Sequence, residues 1–288
     1  MLKKRIVAVI IVRDGIVVQS INFSKFLPIG TPTIAVEFLN IWGIDEIILL
    51  DVSASRLHRT VDFSMIKKAA KECFVPLTVG GGIRELSHMA ELMQCGADKI
   101  SINQAAIHNP ALISAAAHVY GDQCVVVSMD IINTSDGYKV YDYIQKRTLD
   151  ISPSNFARKC QDLGAGEIFV NSVDRDGSYM GYDIKLFDQV CSAVSIPVMG
   201  CGGAKSALDF ITALSETQIS AACAANLFHF TEHSVNTIKA NILNQIPVRH
   251  ETSASYKDNK FDENFRLDKK SDKDLESLLY TRIEKEQV

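Results

Sequence analysis

Short runs of consecutive apolar residues alternate along this chain with longer amphipathic segments such as VDFSMIKKAAKEC. Eight runs have the length of a β-strand, at residues 6–12, 46–51, 76–81, 98–103, 124–130, 167–172, 196–202 and 219–225. Unbroken apolar runs are typical of parallel strands that are covered on both faces. The pattern therefore predicts an α/β protein with eight β-α units, which is a (β/α)8 TIM barrel. An open doubly wound sheet is the alternative, but no GxGxxG motif follows the first strand.

The two halves of the predicted barrel resemble each other. DEIILLDVSAS at 45–55 aligns with GEIFVNSVDRDG at 166–177, and PLTVGGGI at 76–83 aligns with PVMGCGGA at 197–204. Both pairs are offset by 121 residues. A single offset shared by two segments predicts an internal half-barrel repeat.

The composition changes near residue 250, where charges of both signs become dense. We therefore predict a barrel over 1–250 and a charged extension over 251–288. Ser271 followed by Asp274 resembles a helix-capping pair, and an apolar stripe follows at Leu275, Leu278, Leu279 and Ile283. A short C-terminal helix and a disordered tail are equally compatible with this pattern.

Overall composition excludes several classes of protein. The chain has 288 residues, 47% of them hydrophobic, and a net charge of −4, so nothing in its charge indicates nucleic acid or an anionic membrane as a partner. Seven cysteines without a CxxC motif indicate reduced thiols in the cytoplasm rather than disulfides or a metal site. The N-terminal apolar run has only seven residues, and no stretch is long enough to span a bilayer. We expect no cofactor.

Glycine-rich turns follow the third and seventh predicted strands, GGGI at 80–83 and GCGGA at 200–204. Glycine lets backbone N–H groups approach phosphate oxygens closely, and barrels commonly hold phosphate at such turns. Simple tight turns are the alternative. Two matched turns predict a ligand with a phosphate at each end, bound by Gly81, Gly82, Asn103 and Gln104 in one half and by Gly202, Gly203, Ala225 and Asn226 in the other.

Four acids stand at the C-terminal ends of predicted strands, where barrel enzymes carry out their chemistry. Asp130 ends an otherwise apolar run and is the strongest candidate for a general acid or base. Asp176 is a further catalytic candidate, although Asp174 and Asp176 also suit a turn and Asp51 suits a loop anchor.

Four further charges open predicted strands and so belong to the opposite, N-terminal face: Arg5, Glu46, Lys99 and Glu167. They could form a ring of salt bridges, but spacing alone favours ordinary solvated strand ends.

Together these motifs resemble the HisF family, the cyclase subunit of imidazole glycerol phosphate synthase. The resemblance covers residues 1 to about 250 and rests on segments such as GIDEIILLDVSAS, LTVGGGIR, GADKISIN and GAGEIFVNSVDRDGSYMGYD. It implies a barrel that receives ammonia from a HisH-like glutaminase at its N-terminal face. In this family Arg5, Glu46, Lys99 and Glu167 match the gate where ammonia enters, and Asp98 matches a position facing the glutaminase.

The C-terminal face departs from the family pattern. The family uses two essential aspartates; Asp130 matches one, and Ile11 stands at the other position. Gln19 replaces a lysine that contacts the substrate, and Gln104, Cys201 and Asn226 replace small hydroxyl residues around the phosphates. An isoleucine cannot transfer a proton. The chain therefore resembles a divergent, WbuZ-like subgroup linked to glycosyl amidation.

This resemblance implies a barrel that passes ammonia to a surface-polysaccharide sugar, together with a glutaminase and a separate sugar amidotransferase. The alternative is the cyclase of histidine biosynthesis, which converts ammonia and a formimino ribulosyl nucleotide to imidazole glycerol phosphate and AICAR. A barrel isomerase also needs two opposed acids, and a pure scaffold would bind without turnover.

Overall fold

Eight parallel strands close into a barrel in the computed structural model, which describes residues 3–231, 233–243, 245–249, 256, 259–268 and 271. The barrel strands, in chain order, are β1 Arg5–Arg13, β4 Glu46–Asp51, β5 Leu77–Gly80, β6 Lys99–Ile102, β7 Val125–Thr134, β10 Glu167–Ser172, β11 Val198–Cys201 and β12 Ala221–Ala224. Each pairs with the next, and β12 closes on β1 with Arg5 beside Ala221. The predicted (β/α)8 fold is confirmed.

Two antiparallel hairpins extend the barrel at the C-terminal face. One consists of β2 Ile16–Ile21 and β3 Lys25–Gly30 and directly follows β1. The other consists of β8 Gly137–Asp142 and β9 Arg147–Thr148 and directly follows β7. Sequence patterning did not predict either hairpin. They follow opposite strands of the closed barrel, so each half carries one.

Helices surround the barrel, at α1 Pro32–Ile41, α2 Phe63–Ala70, α3 Leu86–Gln94, α4 Gln104–His108, α5 Ala111–Tyr120, α6 Pro153–Asp162, α7 Ile184–Cys191, α8 Ala207–Glu216 and α9 Ser234–Ile242. Helix α6 shows why such segments fold: Ser152 caps its first turn by accepting from the Asn155 N–H, and Pro153 stands where no N–H is needed. Its buried face carries Phe156 and Cys160 at helical spacing. No helix in the described part of the chain is long and apolar enough to cross a membrane.

The apolar side chains form two cores. The larger lies between the strands and the helices, with Phe187 and Phe210 among its fully buried members. Each such side chain contributes about 1.5–3 kcal/mol through burial. The smaller core fills the barrel interior with side chains that point inward from the strands, namely Val7, Val9, Ile48, Val126, Phe169, Met199, Cys201, Ala221 and Cys223. The barrel is therefore packed internally by apolar groups.

The predicted C-terminal helix falls mainly on residues 272–288, which lie outside the described residues. Where the extension is described, it contacts the barrel: the Tyr256 hydroxyl lies 2.6 Å from His233 Nδ1, and Phe265 packs against the larger core. The division at residue 250 stays a prediction.

Candidate functional site

Asp130 ends the inner face of β7 and is almost completely buried. The side-chain amides of two asparagines donate to its carboxylate, Asn103 to Oδ2 at 3.0 Å and Asn171 to Oδ1 at 3.4 Å. Burial raises the pKa of Asp130 to about 7, opposed by these two hydrogen bonds and reinforced by the charges of Asp176 and Asp142. A carboxyl group that titrates near neutral pH suits general acid–base chemistry.

Ile11 lies on the strand opposite Asp130, since β1 and β7 are four strands apart in either direction around the barrel. Its side chain packs against the inner core together with Leu50, which is its register partner on β4. The wall facing Asp130 is therefore apolar at this position. No acid from β1 can share proton transfer with Asp130 here.

Asp176 faces the first hairpin. Its carboxylate accepts from the Ser20 hydroxyl at 2.6 Å and from the Phe23 N–H at 3.0 Å. Asn226 holds the same hairpin, donating to the Ser20 carbonyl at 2.7 Å and accepting from the Ser20 N–H at 3.2 Å. Gln19 is buried beside them, 3.5 Å from the Tyr179 hydroxyl. These side chains anchor the β2–β3 hairpin over the second half of the C-terminal face.

The second glycine turn forms a pocket lined by Asp176, Gly177, Tyr179, Cys201, Gly202, Gly203, Ala204, Ala224, Ala225, Asn226 and Leu227. Gly202 and Gly203 have φ angles of 112° and 92°. A Cβ on Gly202 would lie 2.8 Å from the Ser172 carbonyl oxygen, just as a Cβ on Gly81 would lie 2.7 Å from that of Asp51. Residues 51 and 172 are separated by the repeat offset, so both turns meet the same structural constraint.

Replacing Gly203 by alanine is expected to weaken phosphate binding at this turn. An added Cβ would collide with the Gly181 carbonyl oxygen, and such crowding typically costs about 1–3 kcal/mol. Gly137→Ala is the matched control, because Gly137 also has a positive φ but has nothing within 4 Å of its added Cβ. Thermal unfolding should be measured with and without inorganic phosphate. Phosphate should raise the melting temperature of the wild type and of Gly137→Ala, but not that of Gly203→Ala. An equal rise for Gly203→Ala would contradict the predicted site.

The first half differs in how its polar groups are used. The Gly82 N–H, which could face a ligand, donates to the Ser55 hydroxyl at 3.2 Å. Asn103 donates to Asp130, and Gln104 donates to both Asn103 and Asp142. The side chains predicted to bind phosphate here are thus engaged with one another.

Asp51 and Asp174 each accept hydrogen bonds that hold the loops beside them. Asp51 accepts from Arg59 at 2.7 Å and from the Ser53 hydroxyl at 2.7 Å. Asp174 accepts from the Asn133 N–H at 2.6 Å, which ties the end of β7 to the loop after β10. Both acids therefore have structural partners.

A closed ring of ion pairs lies at the N-terminal face. Arg5 Nη1 is 2.7 Å from Glu46 and 3.1 Å from Glu167, and Lys99 Nζ is 3.0 Å from each of the same carboxylates. The interpretation from spacing alone, as separate solvated strand ends, is wrong, because the Glu46 side chain is only 1% exposed. The ring borders the apolar inner core. Asp98 lies exposed just outside it and accepts from the Leu77 N–H at 2.8 Å.

Sequence reasoning missed three participants. The sequence pattern places Asn171 only within a predicted strand, and its position beside Asp130 follows from the register of β7 and β10. Asp142 belongs to a hairpin that was not predicted. Lys239 is buried and pairs with Asp45 at 2.6 Å, joining α9 to the start of β4. A lone lysine in a helical pattern gave no signal of this.

Comparison with known proteins agrees with the barrel fold. Residues 5–234 match the family described as histidine biosynthesis protein. A Vibrio vulnificus (strain YJ016) protein, under the provisional name of imidazole glycerol phosphate synthase subunit hisF2, is 44% identical over 93% of this chain and 97% of its own length. The imidazole glycerol phosphate synthase subunit HisF of Alkaliphilus metalliredigens (strain QYMF) is 41% identical over 84% of this chain and 96% of its own.

A third relative, the HisF subunit of Lactococcus lactis subsp. cremoris (strain SK11), is 42% identical over 86% of this chain and 97% of its own length. The Vibrio match leaves only about 20 residues of this chain uncovered, so it extends into the segment after residue 250. At least part of the segment after residue 250 is therefore matched in one relative.

Proposed function

Because this chain belongs to the HisF family of histidine biosynthesis proteins, we propose that it is the ammonia-accepting synthase subunit of a glutamine amidotransferase, paired with a HisH-like glutaminase. The observation that carries the proposal is the closed ring of Arg5, Glu46, Lys99 and Glu167 below an apolar barrel interior. Ammonia is small and neutral, so an apolar interior lets it pass while excluding ions. The partner docks at the ring, beside Asp98, and the reaction takes place near Asp130.

Two reactions at the C-terminal face are candidates. The names of the relatives favour the formation of imidazole glycerol phosphate, which is the alternative, rather than the main, hypothesis of the sequence analysis. Asp130, with a pKa near 7, supplies one acid–base group for ring closure. Amidation of a surface-polysaccharide sugar, with a third protein, rests on Ile11 and Gln19, and the names of the three relatives described above do not support it. The imidazole glycerol phosphate reaction is the assignment we adopt.

The test supplies the purified chain with the formimino ribulosyl nucleotide and excess ammonium salt, without a glutaminase. Consumption of the nucleotide, followed by its absorbance, is the expected result, and it would show that one acid suffices. Absence of turnover from a folded chain that still stimulates a HisH-like glutaminase would reject this reaction and favour a different ammonia acceptor. Free thiols at all seven cysteines agree with a reducing compartment such as the cytoplasm, where we place the complex.

Replacing Lys99 by methionine is expected to lower glutamine-dependent turnover more than ammonium-dependent turnover. The change opens the ring and leaves Glu46, which is buried, with one cation fewer, at a cost of about 1–3 kcal/mol in stability. Lys139→Met is the control, since Lys139 pairs with a fully exposed Asp150 far from the ring. The ratio of the two rates in the reconstituted complex measures the effect. An unchanged ratio for Lys99→Met would contradict an ammonia path through the ring.

A further inference from the structure

A chain of hydrogen bonds runs from the protein surface to Asp130. His108 Nε2 lies 3.0 Å from Asp142 Oδ2, and Gln104 Nε2 donates to Asp142 Oδ1 at 3.2 Å. The same Gln104 nitrogen donates to Asn103 Oδ1 at 3.2 Å, and Asn103 Nδ2 donates to Asp130 Oδ2 at 3.0 Å. Gln104 and His108 are the first and last residues of α4 and lie one turn apart, so both reach the same carboxylate.

Asp142 determines which groups donate and which accept along this series of hydrogen bonds. Its side chain is completely buried, and it also accepts from the Ile144 and Gln145 N–H groups at 3.0 and 3.1 Å. Burial opposes its ionisation, but these backbone donors together with Gln104 and His108 outweigh burial and lower the pKa of Asp142. An ionised carboxylate can only accept hydrogen bonds. Gln104 must therefore turn its NH2 group, and not its carbonyl oxygen, toward Asp142.

The orientation of Gln104 determines that of Asn103. Once the Gln104 NH2 group points inward, its second hydrogen meets the Asn103 side chain, which must present its carbonyl oxygen to accept it. The NH2 group of Asn103 then faces Asp130. The reverse orientation of either amide would place two donors or two acceptors against each other, which is unfavourable in this partly buried network.

We infer that Asp142, Gln104 and His108 are positioning residues, which fix the Asn103 amide so that it donates to Asp130. An amide that donates stabilises the carboxylate form, whereas an amide that offered its carbonyl would stabilise the protonated form. The Asn103 hydrogen bond therefore favours the carboxylate form of Asp130, which can act as a base, and so offsets the nearby negative charge of Asp142, which favours the protonated form. The inference deepens the proposed role of Asp130, but the hydrogen-bond polarity is independent of which ligand is bound.

The test is an NMR titration of the purified chain without any ligand, with 13C-labelled aspartate side chains and 15N-labelled amides. In the wild type, the Asn103 NH2 signals should shift with the same midpoint as the Asp130 carboxyl signal. In Gln104→Leu, Asn103 loses the donor that orients it, and its bond to Asp130 weakens. The pH at the midpoint of the Asp130 titration should then rise by about 0.4–1, which corresponds to the free energy of one hydrogen bond.

Gln145→Leu is the matched control, because Gln145 is exposed and reaches Asp142 only through its backbone N–H. Its Asp130 midpoint should equal that of the wild type. An unchanged midpoint in folded Gln104→Leu would overturn the inference. If that variant does not fold, an Asn103 amide in the wild type that fails to follow the Asp130 titration would overturn it as well. Neither result depends on turnover, so failure of the proposed reaction would be recognised separately.

Discussion

Asp130→Asn is expected to lower kcat/KM for ammonium-dependent turnover by about 10²–10⁴-fold, which is the usual contribution of a general acid or base. Asparagine keeps the size of the side chain but cannot take up or release a proton. The effect should be near the upper end of this range, because Ile11 leaves the opposite strand without an acid. Asp136→Asn is the control, since Asp136 is an exposed acid in the turn that follows β7. Turnover within a few-fold of the wild type would exclude proton transfer by Asp130.

The same variant should change how stability depends on pH. The pKa of Asp130 is raised from 3.8 to about 7 in the folded protein, so the folded state binds its proton more tightly than the unfolded state does. The resulting stabilisation is full below about pH 4 and is lost as the pH rises toward 7. The free energy of unfolding of the wild type, relative to that of Asp130→Asn, should therefore fall between about pH 4 and pH 7. Above pH 7 the difference between the two proteins should stay constant. Denaturant unfolding of both proteins at several pH values measures the difference.

Ile11→Asp is expected to raise ammonium-dependent turnover by about 10²-fold or more, because it restores a carboxyl group on the strand opposite Asp130. The gain comes with a loss of stability, since the new carboxyl group replaces an apolar contact with Leu50 in the inner core. Rates at saturating ammonium and thermal unfolding should be measured on the same preparation.

Ile16→Asp is the control for Ile11→Asp, because Ile16 belongs to the adjacent hairpin and is already exposed. It should affect neither rate nor stability strongly. If Ile11→Asp folds but its ammonium-dependent turnover does not rise, the pocket must differ from that of the family in other ways besides the missing acid. That result would favour an acceptor other than the formimino nucleotide.

The barrel could be predicted from the sequence because its signals are local. The barrel strands lie on short, mainly apolar runs, and each glycine turn follows its strand directly. The ion-pair ring is a partial case: the pattern placed all four charges at one face, but only three-dimensional closure brings Lys99 and Glu167 within 3.0 Å. The role proposed for the ring comes from the resemblance to a family, because spacing alone indicates only separate charges at strand ends.

The rest depended on contacts between distant parts of the chain. Asp176 suited a turn in the sequence, yet its carboxylate binds Ser20, which is 156 residues away. The first hairpin includes the mixed segment IVVQSI, whose polar residues interrupt the strand pattern. The sequence predicts that Gln104 binds phosphate, whereas in the structure its side chain donates to Asp142. Asp142 belongs to the second hairpin, which the sequence pattern does not predict. Side-chain orientation in a polar network cannot be predicted from residue spacing.

A closed barrel has no free strand edges, but the two hairpins described above add edges back at the C-terminal face. Such edges invite pairing with another chain and lead to aggregation. Here the outer strand of the first hairpin, β3, carries Lys25 and Pro28, and that of the second, β9, has only two residues. A charge, a proline and short length are the usual means of blocking edge-to-edge growth. The two hairpins can therefore lengthen the barrel at its C-terminal face without offering an open strand edge that would promote aggregation.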